Sequence, residues 1–214
     1  MGTAGSPFTL ASWRREVAEL YAGMRNTALR DAKLAAAQFR AGRDSLISHH
    51  TESPLSGAQL AAFKGIDYYP YDPAWRLTGT IDRGGEPEQF DIDLADDGML
   101  RCSRAGVVRF RYGQDDLALA VYWMEGYGGG LWLPFGDTTN NDQTYGGGRY
   151  LYDSIKGADL GVGSGPSGDT MLLDFNFAYN PSCAYDHRWS CPLAPSANRL
   201  PLPVRAGERA FSGA

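Results

Sequence analysis

A chain of 214 residues suits one domain with a sizeable core, and it needs neither a disulfide nor a metal staple to fold. A formal net charge of −5 without a basic stripe argues against a nucleic-acid partner, and no apolar run reaches membrane-spanning length. Arg14, Arg15, Glu16 and Glu19 stand where a secretory signal needs an apolar centre, so the expected location is the cytoplasm and the three cysteines are expected reduced.

In chain order, residues 1–11 read as a flexible tail, 12–64 as a helical segment and 65–211 as a β domain that forms a single domain with it. Ser12 is a candidate helix cap, and Trp13, Val17, Leu20, Tyr21, Met24 and Ala28 recur at helical spacing. A second helical stretch runs from Asp31 to about Arg43, with Gly42 as a stop. Together they predict one kinked amphipathic helix, or two, packed on the β domain. His49 and His50 fall in a loop, and Ser56–Phe63 reads as a short helix.

From Trp75 the period shifts towards two. Strands are expected at 75–82, 89–94, 99–103, 107–112, 117–124, 131–135, 149–152 and 171–177. Gly84-Gly85, Asp97-Gly98, Ala105-Gly106 and Gly113–Asp116 read as turns. The 27 glycines and 12 tyrosines agree with a turn-rich β fold. Residues 161–170, GVGSGPSGDT, read as a mobile spacer. The fold class is mainly β (α+β): an antiparallel barrel or sandwich with an amino-terminal amphipathic helix against it and a Pro-rich carboxy-terminal coil.

The runs GYGGGLWLPFGDTT, TYGGGRYLYDSIKGADLG, LDFNFAYNPSCAY and CPLAPSANRLPLPVRAGER, with RDSLISHHTESPL and FKGIDYYPYDPAWR upstream, carry a resemblance. Over roughly residues 13–211 the chain resembles the bacterial domain-of-unknown-function family 1684. The resemblance implies a compact soluble β-rich domain behind an amino-terminal helix, and no particular reaction. His50 matches the family's histidine before Ser-Pro-Leu, whereas His187 stands where the family pattern has proline.

Candidate site residues concentrate between Leu131 and Leu200. A Gly-rich loop presents Arg149 beside Tyr145 and Tyr150, with Asp137 upstream. Arg grips a carboxylate or phosphate by two parallel hydrogen bonds, so an anion clamp is one reading and a structural Arg149–Asp137 or Arg149–Asp174 pair is the other. If Met171–Phe177 is a strand, Asp174 and Asn176 share a polar face that lines a pocket, with Tyr179 and Asn180 beyond it. Cys183 and Cys191 read as a nucleophile, metal ligands or structure, a disulfide included. As a nucleophile, Cys183 needs His50 or Arg149 nearby, and His50 is the best general base among three histidines.

The expected function is therefore small-molecule binding. One form is an enzyme acting on a small anionic metabolite, with His50, Asp174 and Cys183 catalytic and Asp137, Tyr145, Arg149, Tyr150, Asn176, Tyr179 and Asn180 holding substrate. The alternatives are a non-catalytic ligand-binding module and a partner-binding module. No motif names a cofactor, no metal site is expected, and the expected partner is a small molecule rather than nucleic acid or membrane.

Overall fold

A computed structural model gives the fold and describes residues 5–85, 88–95, 98–165 and 168–213. Helix α1, Pro7–Ala28, opens on a capping box: the Ser6 hydroxyl accepts from the Thr9 N–H, and the Thr9 hydroxyl accepts from the Ser6 N–H. With Pro7 in the first turn, this start overrides the Ser12 cap, so the expected tail is helical from Pro7 onward. Helix α2, Ala32–His49, is capped by Asp31 and runs past the stop expected at Gly42. A Cβ at Gly42 would lie 2.6 Å from Leu20 Cδ1, so this glycine serves close helix packing, not termination. A short helix, α3, spans Gly57–Ala62 under a Ser56 cap.

Eight strands follow: β1 Arg76–Asp82, β2 Gln89–Asp93, β3 Met99–Tyr112, β4 Asp115–Met124, β5 Gly130–Phe135, β6 Arg149–Asp153, β7 Val162–Gly165 and β8 Gly168–Asp174. All pair antiparallel in one sheet, in the order β6-β5-β4-β3-β1-β8-β7, with β2 on the first half of β3. The sheet curls into a half-barrel. β3 is continuous where a turn was expected at Ala105-Gly106. Its pairing with β4 instead shifts between Arg104 and Gly106, a bulge that lets residues 99–103 serve β2 and 107–109 serve β1.

Two further departures lie in the last strands. The expected spacer 161–170 supplies β7 and the start of β8, with residues 166–167 outside the described set, as is Asp97 of the Asp97-Gly98 turn. The strand expected to reach Phe177 stops at Asp174, whose carboxylate accepts from the Asn176 N–H at 3.2 Å and turns Phe175–Phe177 into a 3-10 helix. Asp174 and Asn176 thus do not share a strand face.

The core lies between the sheet and the two long helices. Phe39 meets Tyr21 and Phe177 edge-on, each at 5.0 Å between ring centroids, and Phe110 and Phe135 pack on Phe175. Each such ring contributes on the order of 1.5–3 kcal/mol by leaving water. The carboxy-terminal coil is ordered by the main chain: Leu200 N–H donates to Gly136, Glu208 N–H to Ala178, and Tyr69 N–H to the Gly207 carbonyl. No helix among the described residues is long and apolar enough to cross a membrane.

Candidate functional site

Arg149 is wholly buried, and its partners are internal. Nη2 donates to Asp137 Oδ2 and to the Val204 carbonyl, both at 2.8 Å; Nη1 donates to the carbonyls of Ala206 (2.5 Å) and Glu208 (3.0 Å). The other carboxylate oxygen of Asp137 accepts from Thr139 and from the Val204 N–H. Burial pushes the guanidinium down, and the facing Asp137 charge opposes that. With both terminal nitrogens filled, Arg149 is a lock that ties the coil at 204–208 to the loop after β5. The anion clamp expected of it has no free donor pair, and of the two readings the structural pair is what the geometry forms.

Asp174 and Asn176 make a second sealed cluster. Asp174 Oδ2 accepts from Arg76 at 2.6 Å, while Asn176 bridges Asp174 and the main chain of Asp72. Burial raises the Asp174 carboxyl, and hydrogen bonds from Asn176 and Arg76 oppose the shift. Among the described residues no hydrogen bond joins Arg149 to Asp174 or Asn176, and each side has its own partners. The pocket expected around all three is therefore corrected: each acidic or amide group is satisfied within its own cluster.

A cleft opens elsewhere, between α1, α2, β6 and the coil after Ala178, with an enclosed volume of about 50 Å³. Val17 and Tyr21 line it from α1, Arg43 from α2, Tyr150 and Asp153 from β6, and Tyr179 and Asn180 from the coil. Lys156 stands at its edge, in a 3-10 turn that leans on α1. Gly157 makes that approach possible: φ is +86°, and a Cβ there would sit 2.9 Å from both Ala18 N and the Arg14 carbonyl.

A buried ion pair flanks the cleft. Arg43 Nε donates to Glu208 Oε1. Glu208 Oε2 accepts from the Tyr185 hydroxyl at 2.8 Å and from the Asn180 N–H at 2.7 Å. The Arg43 guanidinium lies 4.9 Å from the Tyr179 ring centre. Burial alone would lower Arg43, but Glu208, Tyr185 and Tyr68 hold it well above the ordinary arginine value. Burial raises the Tyr21, Tyr179 and Tyr185 hydroxyls, so these phenols are neutral donors and acceptors at physiological pH. Among the described residues Asn180 Oδ1 is buried there without a partner, and the hydroxyls of Tyr21 and Tyr179 make no protein hydrogen bond.

Of the expected site residues, then, Tyr150, Tyr179 and Asn180 line this cleft. Tyr21, Arg43, Asp153, Tyr185 and Glu208 were not expected. One signal existed for Arg43: it sits on the same helical stripe as Ala36, Phe39, Leu46 and Ile47, all buried. His50 ends α2, accepts from the Glu52 N–H at 3.0 Å, and stands 3.6 Å from Glu16, on open grooves outside the cleft. Cys183 meets Cys191 and the Tyr145 hydroxyl, the latter at 3.5 Å; no hydrogen bond joins it to His50 or Arg149 among the described residues. The described residues contain no group of three or more His, Cys, Asp and Glu able to hold a metal ion.

Comparison with known proteins agrees with this architecture. No curated protein matches the chain. An uncharacterised protein from gene locus rrnAC0354 of Haloarcula marismortui, solved by solution NMR, is 32% identical, with a TM-score of 0.61 over 86% of this chain and 96% of its own. Residues 61–209 match the family model described as protein of unknown function (DUF1684), and the chain belongs to that family.

Proposed function

We propose that this protein binds a small, uncharged, hydrogen-bonding molecule in the cleft between its helical hairpin and β6. The carrying observation is Asn180 Oδ1, buried without a partner, beside the Tyr21 and Tyr179 hydroxyls, which reach the cleft and make no protein hydrogen bond among the described residues. Buried polar groups are ordinarily satisfied, by protein, water or ligand. At about 50 Å³, the enclosed space takes roughly four water-sized centres, so it suits a small polar fragment. Asn180 Oδ1 requires a donor from the guest, and the phenols supply or accept a proton as needed.

Charge argues for a neutral guest. Arg43 is balanced by Glu208, and Lys156 by Asp153 at 3.6 Å. Each cation at the cleft is thus balanced by a carboxylate, so the anionic metabolite expected from Arg149 gives way to a neutral one. The reading is of a binding module; turnover is a separate outcome of the same test. A library of small amides, alcohols and polyols is screened by thermal shift against the wild type and the Tyr21→Phe variant, with product analysis of every hit. A hit recovered unchanged, and lost or weakened about tenfold in Tyr21→Phe, supports the reading, because one hydrogen bond is worth about 1.4 kcal/mol of affinity. A hit equally strong in Tyr21→Phe and Asn180→Leu moves the site away from the cleft, and a chemically altered hit makes the protein an enzyme.

A further inference from the structure

The described residues hold three thiols, and two of them form a unit unlike the third. Cys102 is fully buried on β3, and burial pushes its thiol up to about 11. Cys183 and Cys191 are only half-buried, on the coil that follows the cleft. The Cys183 N–H donates to Cys191 Sγ at 3.3 Å, which sets the two residues side by side. On the far side, the Tyr145 hydroxyl stands 3.5 Å from Cys183 Sγ. Each sulfur thus accepts one hydrogen bond, Cys191 from the Cys183 main chain and Cys183 from the Tyr145 hydroxyl.

We propose that Cys191 and Cys183 form a thiol–disulfide exchange site for low-molecular-weight organic disulfides, in which Cys191 attacks and Cys183 resolves.

The chemistry balances with that oxidant alone. The Cys191 thiolate attacks one sulfur of the small disulfide, forming a mixed disulfide and releasing one small thiolate. Cys183 then gives up its proton, which the released thiolate takes, and its sulfur attacks Cys191 Sγ. The Cys183–Cys191 bond forms, the mixed disulfide breaks, and the second small thiolate leaves and is protonated from solvent. Two protein thiols are oxidised by two electrons, and one small disulfide is reduced to two thiols. The direction of attack follows from the donors. The hydrogen bond from Cys183 brings Cys191 down to about 6, with the Lys156 charge and the N–H groups of Cys183 and Ser182 adding to it, while the same partnership and burial raise Cys183. A thiolate present at neutral pH is the competent nucleophile. This inference does not depend on the cleft or on any guest in it.

The test uses the reduced full chain and glutathione disulfide, read by intact mass and peptide mapping. The wild type is expected to become lighter by two hydrogens, with the bond mapped to Cys183–Cys191 and Cys102 left as a thiol. Cys183→Ser is expected to accumulate a glutathione adduct on Cys191. Cys191→Ser is expected to react at least about tenfold more slowly, since the remaining thiol is predominantly protonated. Iodoacetamide labelling of Cys191 in the wild type is expected to rise through a midpoint near 6. Because the wild-type measurements need no variant, poor folding of either serine variant leaves the proposal testable. An adduct that persists on the wild type without ring closure overturns it, as does first attack at Cys183 or preferential reaction of Cys102.

Discussion

Two buried arginine–carboxylate pairs hold the same carboxy-terminal coil and have opposite surroundings. Arg149 faces Asp137 and three main-chain carbonyls and does not line the cleft. Arg43 faces Glu208 and two tyrosines, with the cleft beside it. The Glu208 residue links them, since its carbonyl accepts from Arg149 and its side chain accepts from Arg43. The difference separates two uses of one chemistry. A guanidinium whose terminal nitrogens both end on the protein fixes a chain path; one bordering a void with an unpartnered neighbour leaves chemistry for a guest. Residue type alone does not distinguish them.

The largest effect is expected from breaking the dry pair. Asp137→Asn leaves the Arg149 charge unpaired where no water reaches, and urea unfolding should show a loss of about 3–5 kcal/mol. Glu208→Gln cuts the cleft-side pair, but Arg43 can be hydrated from the adjoining space, so the expected loss is smaller, about 1–3 kcal/mol. Equal losses would erase the contrast between the two regions. Tyr21→Phe removes a hydroxyl that has no protein partner, and stability should stay within about 0.5 kcal/mol while ligand stabilisation disappears. A pH dependence accompanies these losses. Cys191 is depressed in the folded chain, so it contributes stability that is present above the ordinary thiol range and lost as pH falls through about 6. Cys191→Ser should flatten that slope in urea melts across the window.

Much of the fold was legible because its signals are local. Capping residues, helical spacing and two-residue alternation located both helices and the strand formers around 76–135. The departures have local causes that a pattern does not rank. Phe175-Asn176-Phe177 alternates as a strand does, yet Asp174 caps it into a 3-10 turn. The run Val162-Gly163-Ser164-Gly165 has a single side chain that favours a strand, but β8 offers its backbone a partner. The site was less legible because it is assembled over distance. Arg43 and Glu208 lie 165 residues apart, and only the folded chain brings a helix stripe against the terminal coil. Tyr150, Tyr179 and Asn180 were found because they share the motif-rich stretch that forms one wall. Arg149 drew notice for the same reason, and its burial shows that a conspicuous glycine-flanked arginine can serve the loop itself.

The most direct test of the central claim is a crystal structure of the wild-type protein grown with its strongest neutral thermal-shift hit. The predicted result is the molecule in the cleft, within hydrogen-bond distance of Asn180 Oδ1 and the Tyr21 hydroxyl, with the Arg149–Asp137 pair unchanged. A guest bound at Arg149, or on an outer groove with the cleft left to water, would contradict the account.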